Sequence, residues 1–222
     1  MTRELNFKRK GPVKGNSLVI FLHGYGADGA DLLGLGDALA PHMPQTVFMA
    51  PDAPDRCTGN PMGYQWFPIP WLDGSEQSVA DAAMASAAND LNAFLDVAMM
   101  AEELTPDRIV LFGFSQGAMM SLEVAPRRAA PFAGVAAFSG RLIRPEALGA
   151  EALSKPPVLL VHGDADEVVP FSSMNEAGQA LNAAGFEVYA HVMQGTGHGI
   201  APDGLSVALS FMADKLGIET PV

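Results

Sequence analysis

Several features are scarce in this chain of 222 residues, and each scarcity excludes a class of protein. The single cysteine, Cys57, cannot form an internal disulfide. No apolar segment follows the basic N-terminus as it would in a secretory signal peptide, and no apolar run approaches the ~20 residues that cross a bilayer. We therefore expect a cytoplasmic protein without stable membrane insertion.

Positive charge is also scarce, since 13 Lys and Arg face 25 Asp and Glu, a net charge of -12. Five of these bases lie in residues 1–14, namely Arg3, Lys8, Arg9, Lys10 and Lys14. The rest of the chain is strongly acidic, which argues against a nucleic-acid partner. The basic stretch has two interpretations, a tether to an anionic membrane or an exposed edge strand protected by lysines, and we favour the edge strand.

Hydrophobic content is high, at 49%, and apolar runs of strand length alternate with longer helical segments. The predicted strands are 18–22, 46–49, 108–112, 133–138, 158–161 and 187–192. The predicted helices are 28–40, 78–104, 116–125, 172–184 and 203–216. Continuous apolar strands that alternate with helices are typical of a parallel sheet covered on both faces, so we predict one α/β domain over residues 1–222.

Residues 51–77 interrupt this alternation, because they contain five prolines and no helical period. Long irregular segments in compact domains are usually functional. The segment contains both tryptophans of the chain, Trp66 and Trp71, together with Met62 and Phe67. Two interpretations stay open: these side chains form an apolar wall beside an active site, or they fold back onto the core.

The most specific motif is Gly113-Phe114-Ser115-Gln116-Gly117, which ends an apolar strand and begins a helix. In that context the pattern G-x-S-x-G predicts a nucleophile elbow, a sharp turn that exposes the hydroxyl of Ser115 to a base. Side chains at the two glycines would collide with neighbouring backbone. The sequence therefore predicts a serine nucleophile.

The chain supplies a base and an acid in the expected order. His198 follows the last predicted strand within a glycine-rich loop, where its imidazole is free to project. Asp164 and Asp166 both follow the strand 158–161. We favour Asp166 as the acid, because it lies further past the strand end, and expect Asp164 to stabilise the turn.

Backbone donors for an oxyanion come from two turns. The glycine-rich turn His23-Gly24-Tyr25-Gly26 ends the first long strand, and Gln116 directly follows the nucleophile. We expect structural roles for His23 and His162 at their strand ends. No metal-binding spacing links the five histidines, so no metal or other cofactor is predicted.

Four motifs in order resemble the phospholipase/carboxylesterase family of cap-less α/β-hydrolases, which includes acyl-protein thioesterases and bacterial carboxylesterases. They begin at Leu22, Gly113, His162 and Gly195, and the resemblance extends from about residue 15 to 216. It implies a triad of Ser115, Asp166 and His198, oxyanion donors at the N–H groups of Tyr25 and Gln116, and substrate contacts from Trp66 and Phe67. Tyr25 and Glu167 depart from the residues common in the family.

The expected activity is therefore hydrolysis of a small-molecule ester with a short or medium acyl chain. An acyl-protein thioesterase or lysophospholipase is the nearest alternative, and a non-catalytic binding module is disfavoured because it needs no triad. The sequence leaves the oligomeric state open, with a homodimer as one option.

Overall fold

The central feature of the fold is a mixed sheet of seven strands. The structure, a computed structural model, describes residues 2–219. The strands of this sheet are β1 (Phe7–Lys10), β2 (Ser17–Leu22), β3 (Thr46–Pro51), β6 (Ile109–Phe114), β7 (Gly134–Phe138), β8 (Val158–Gly163) and β9 (Val188–Met193). Two short strands, β4 (Asp55–Arg56) and β5 (Tyr64–Gln65), pair with each other outside this sheet. The sheet order is β1-β3-β2-β6-β7-β8-β9, and all pairs are parallel except β1 with β3.

Helices cover both faces of this sheet. They are α1 (Gly29–Leu33), α2 (Leu35–Leu39), α3 (Pro70–Asp73), α4 (Gln77–Glu102), α5 (Gln116–Val124), α6 (Pro145–Glu151), α7 (Ser172–Ala183) and α8 (Pro202–Leu216). One core lies between the sheet and α4, α5, α6 and α7, and the other between the sheet and α1, α2 and α8. The prediction of a mostly parallel sheet with helices on both faces is confirmed.

Each strand contributes side chains to both cores, because successive side chains of a strand point to opposite faces of the sheet. In β2, Leu18 and Ile20 belong to the first core, whereas Val19 and Phe21 belong to the second. Every residue of β2 is buried. Each long strand that the apolar runs predict is present with ends within two residues of the prediction.

The chain differs from the prediction in three places. The predicted helix 28–40 is two short helices that meet at Gly34. Residues 51–77 contain the hairpin of β4 and β5 and the short helix α3. Helix α6 was not predicted, although Pro145 occupies its first turn, where proline is favoured.

The basic N-terminal stretch forms the exposed edge strand β1, which confirms the favoured interpretation. Among residues 2–219, no helix combines the length and the apolar character that crossing a membrane requires.

Candidate active site

The elbow places Ser115 in a strained conformation between β6 and α5. Its φ of 54° and ψ of -115° lie outside the regions that non-glycine residues prefer. Glycines make the close packing of this turn feasible: a Cβ at Gly117 would lie 1.9 Å from the carbonyl oxygen of Leu22, and one at Gly113 would lie 2.4 Å from that of Gly117. The strain persists because neighbouring backbone holds the turn on both sides.

The structure brings the three predicted triad side chains together. Ser115 Oγ lies 3.0 Å from His198 Nε2, and His198 Nδ1 lies 2.8 Å from Asp166 Oδ2. Each distance is that of a hydrogen bond. With Nδ1–H donating to the carboxylate, Nε2 has a free lone pair that accepts from the serine hydroxyl, which is the arrangement of a base and its orienting acid.

Asp166 is held as a carboxylate. Burial acts to raise its pKa, but hydrogen bonds from His198 and from the N–H groups of Val169 and Val168 outweigh burial and hold the pKa below its usual value. The two backbone bonds are both 2.9 Å long and go to Oδ1, which leaves Oδ2 to His198. His162 lies beneath, with Nε2 3.0 Å from the carbonyl oxygen of Val169 and 3.3 Å from Asp166 Oδ2. It therefore has the structural role that we expected.

Asp164 does not reach His198. Its Oδ1 accepts a 2.6 Å hydrogen bond from the N–H of Gly195 and so ties the end of β8 to the loop that carries the histidine. The loop also packs closely on Gly163, where a Cβ would lie 2.1 Å from the carbonyl oxygen of Thr196. Asp164 and Gly163 thus position the loop, while Asp166 contacts the imidazole.

The predicted oxyanion turn lies against the nucleophile. A Cβ at Gly24 would lie 3.3 Å from Ser115 Cβ. The backbone hydrogen bonds of turns and caps among residues 2–219 include neither Tyr25 N–H nor Gln116 N–H as a donor. Neither N–H group therefore spends its hydrogen on a backbone acceptor in this part of the chain. The Tyr25 side chain is partly buried with its hydroxyl beside Cys57, and burial chiefly raises its pKa to about 12.

His23 fixes this turn through both of its ring nitrogens. Its Nδ1–H donates to the carbonyl oxygen of Gly24 over 2.8 Å, and Nε2 accepts from the N–H of Ala53 over 2.9 Å. Burial lowers the pKa of His23, which favours the neutral ring that these two bonds require.

Trp66 requires a correction. It is fully buried, and its indole N–H donates to the carbonyl oxygen of His23 over 3.0 Å. Gln116 holds the same segment, because its side chain accepts from Trp66 N–H over 2.8 Å and donates to the carbonyl oxygen of Phe67 over 2.7 Å. Trp66 has no exposed face for a substrate, so the prediction of a substrate contact there is wrong. It supports the oxyanion turn from below.

The other three predicted substrate contacts are dispersed. Phe67 and Trp71 border a narrow cleft that leads to Arg141. Met62 lies on the turn between β4 and β5 and is 83% exposed. For these residues, substrate contact stays a prediction.

Sequence reasoning missed two contacts of the triad region. The ring of Phe114 packs against the imidazole of His198, with centroids 4.9 Å apart. The side chain of Gln116, which we considered only for its N–H, anchors the segment 66–67. The position of Phe114 between Gly113 and Ser115 was the available signal for the first contact.

No group of three or more His, Cys, Asp and Glu in the described part of the chain could hold a metal ion. The absence of a metal from the reaction stays a prediction.

Comparisons with known proteins show the family to which this chain is related. The model of the phospholipase/carboxylesterase family matches residues 9–216. A probable carboxylesterase of Oryza sativa subsp. japonica is 31% identical over 91% of this chain and 79% of its own length. An acyl-protein thioesterase 1 homolog of Dictyostelium discoideum is 27% identical over 90% of this chain and 91% of its own. The crystal structure of esterase PE8 is 42% identical, covers 96% of this chain and 100% of that one, and superposes with a TM-score of 0.91.

Proposed function

The chain belongs to the phospholipase/carboxylesterase family and has the α/β-hydrolase fold, and from this premise we propose that Ser115, His198 and Asp166 are its catalytic triad. The family and its relatives make it a carboxylic ester hydrolase. The observation that carries the proposal is the continuous hydrogen-bonded chain from Ser115 Oγ through the imidazole to the Asp166 carboxylate.

Acylation begins when His198 Nε2 removes the proton of Ser115 and the oxygen attacks the ester carbonyl. The carbonyl electrons move onto the oxygen, which the N–H groups of Tyr25 and Gln116 stabilise. Protonated His198 then donates its proton to the departing alcohol. Asp166 keeps the imidazole in the correct tautomer and stabilises the cation that forms.

Deacylation repeats these steps with water as the nucleophile. His198 takes a proton from water, the hydroxide attacks the acyl-enzyme, and Ser115 leaves with the proton that His198 returns. The same two N–H groups stabilise the second oxyanion. Every proton is returned, so the cycle consumes only water and ester.

We test the nucleophile with Ser115→Ala and a matched control, Ser121→Ala, in which the hydroxyl removed is a buried one on α5, the helix that directly follows Ser115. Ser115→Ala should lose about 10⁴-fold or more in kcat and all labelling by a fluorophosphonate. Ser121→Ala should keep both, since its hydroxyl only bonds the carbonyl oxygen of Gly117. If Ser115→Ala keeps more than about a tenth of wild-type activity, Ser115 is not the nucleophile.

Esters with short or medium acyl chains are the proposed substrates. A cavity of about 470 Å³ adjoins the oxyanion turn and is lined by Tyr25, Gly26 and Asn60 among others. This volume lies within the usual range for small-molecule sites. Hydrolysis rates for p-nitrophenyl esters of increasing acyl length should therefore peak at short or medium chains, and a maximum at long chains would contradict the proposal.

A thioesterase is the second candidate, and the relatives named acyl-protein thioesterase favour it. An acyl-enzyme forms from a thioester by the same attack, so geometry does not separate the two activities. Relative kcat/KM for an oxyester and a thioester of the same acyl chain distinguishes them. A cytoplasmic location fits the free, buried Cys57 and is tested by cell fractionation.

A further inference from the structure

A polar cavity whose lining does not include the triad has no role in the mechanism above. Its volume is about 810 Å³, and it lies between the start of α4, the segment after β7, and α7. Gly140 links it to the elbow, since a Cβ there would lie 2.6 Å from Ala118 Cβ and 3.2 Å from the carbonyl oxygen of Ser115. Arg141, the next residue, lines the cavity. The cavity therefore begins one residue after a glycine that packs closely on the turn of Ser115 and the start of α5.

Arg141 is half-buried, and no carboxylate among residues 2–219 forms a salt bridge with it. Its Nε–H is buried without any acceptor among residues 2–219. Its guanidinium carbon lies 4.4 Å from the centroid of the Trp71 ring, which covers one face of the group and satisfies no N–H. Burial lowers the pKa of Arg141, and the charge of Glu176 only partly opposes this. A guanidinium stays protonated even so, and its donors remain available.

The other charges of the cavity are already paired or exposed. Arg144 also lines it, but Arg144 bonds to Glu123 and Glu151. The carboxylates of the lining that have no basic partner among residues 2–219 lie at its exposed rim, at Asp81, Glu146 and Glu176, and Asp81 accepts a hydrogen bond only from the amide of Gln77. Water screens charges at such a rim, whereas the half-buried guanidinium is screened less. An anion that entered the cavity would therefore meet its strongest partner at Arg141.

We propose that this cavity binds a carboxylate of the substrate ester and that Arg141 is the residue that selects for it. The inference rests on the proposed esterase function of Ser115. The planar fork of a guanidinium matches both oxygens of a carboxylate. The carboxylate belongs either to the acyl arm, as in a half-ester of a dicarboxylic acid, or to the alcohol arm, as in an ester of a hydroxy acid. Both present the same anion beside the elbow.

The test compares charged with neutral esters of equal chain length. One series contains p-nitrophenyl half-esters of dicarboxylic acids and the matching p-nitrophenyl alkanoates, and the other contains butyrate esters of hydroxy acids and of the matching alkanols. In Arg141→Gln, the ratio of kcat/KM for the charged ester to that for the neutral ester should fall about tenfold or more in one series. Hydrolysis of neutral esters should change less than about threefold, and Arg141→Lys should restore part of the ratio.

Two further variants make the result specific. Arg56→Gln removes an exposed arginine that also stacks on an aromatic ring, with its guanidinium carbon 4.3 Å from the Tyr64 centroid, and should leave the ratio unchanged. Glu176→Gln removes a negative charge at the rim and should raise the ratio. If Arg141→Gln shows no cooperative melting, the ratio measured for Glu176→Gln tests the proposal in its place. Glu176 is exposed, so its replacement leaves the core intact.

The proposal is overturned if Arg141→Gln has the wild-type ratio at every chain length in both series, if Arg56→Gln lowers the ratio as much, or if Glu176→Gln fails to raise it. A wild-type protein that hydrolyses no neutral ester contradicts the esterase proposal instead. Activity on neutral esters without any effect of Arg141 on the ratio contradicts this inference alone.

Discussion

At the scale of single residues, two aspartates after β8 show how position decides role. The side chain of Asp166 is fully buried and bonds the imidazole, whereas Asp164 is exposed and bonds the N–H of Gly195. Both lie in the same short turn, and the strand end alone does not distinguish them. The sequence favoured Asp166 for its distance past the strand, and the structure adds the two backbone donors that fix its carboxylate.

We predict that Asp166→Asn lowers kcat by about 10⁴-fold, because an amide in place of the carboxylate favours the wrong tautomer of His198. Asp164→Asn is the matched control. Its amide oxygen still accepts from Gly195, so kcat should fall less than about tenfold and the free energy of unfolding by less than about 1 kcal/mol. Steady-state kinetics and thermal melting of both variants provide the comparison. The reverse order of the two effects would assign the acid to Asp164.

His23 makes a second prediction at this scale, which concerns pH. Burial holds its folded pKa below the unfolded value of ~6.5, so the unfolded chain binds the proton first as the pH falls. The contribution of His23 to stability is therefore complete above about pH 6.5 and declines below it, by at most ~1.4 kcal/mol per pH unit. Protonation would also break the hydrogen bond from Ala53 N–H.

Urea unfolding of the wild type, His23→Gln and His42→Gln between about pH 4.5 and 8 measures this effect. His42 is exposed and serves as the control. The acid decline should be smaller in His23→Gln than in the wild type and unchanged in His42→Gln. Parallel profiles for the wild type and His23→Gln would show that His23 does not cause the decline.

At the scale of elements, the long strands could be predicted because both of their faces are buried. A strand such as β6 then has a continuous apolar run that no exposed helix would show. The hairpin of β4 and β5 could not be predicted in this way, because each strand has two residues and its alignment depends on distant backbone. Tyr64 N–H bonds the carbonyl oxygen of Ala27, and Gly26 N–H bonds that of Tyr64. The residues near Tyr64 in sequence do not indicate this pairing, because its partners lie about 40 residues earlier.

The same limit explains the error at Trp66. The sequence shows only that Trp66 is an aromatic residue in an irregular segment. The direction of its side chain depends on two hydrogen bonds to residues far away in the sequence, one with the Gln116 side chain and one with the carbonyl oxygen of His23. The triad needed no such information. Ser115, Asp166 and His198 follow three mutually parallel strands of the main sheet, β6, β8 and β9, and the ends of these strands lie at one edge.

Trp66→Phe tests the tether between the segment 51–77 and the oxyanion turn. The ring remains, but the carbonyl oxygen of His23 loses its donor, so we expect a loss of about 1–3 kcal/mol in the free energy of unfolding. Activity should fall by the same factor for every acyl length, since the turn and not the acyl site is disturbed. Trp71→Phe, at a 59% exposed tryptophan, should cost less than about 1 kcal/mol. A changed acyl-length profile in Trp66→Phe, without a loss of stability, would restore the substrate-contact interpretation.

At the scale of the whole molecule, the basic N-terminal stretch is largely paired with acids, although the chain keeps its net charge of -12. Four of the bases in residues 1–14 pair with acids of the body: Arg3 with Asp55 and Asp90, Arg9 with Glu102, Lys10 with Asp37, and Lys14 with Glu103. The pairs hold β1 and its flanks against α4 and α2, where most of these acids lie. That the entire chain is one domain stays a prediction. Its described strands of the main sheet form one continuous layer.

These pairs predict that the basic N-terminal stretch does not bind anionic membranes. A basic side chain near an anionic membrane contributes about 1 kcal/mol of binding energy. A base that is already paired with a carboxylate must first break that ion pair. The net charge of -12 also opposes the approach of the protein to an anionic surface. Cosedimentation with phosphatidylserine vesicles at about 0.15 M salt should equal that with neutral vesicles. The triple variant Asp37→Asn, Glu102→Gln, Glu103→Gln frees Lys10, Arg9 and Lys14, and it should cosediment more than the wild type. Salt-sensitive binding of the wild type to anionic vesicles would instead support the tether, because it requires these bases to be available while the edge strand is formed.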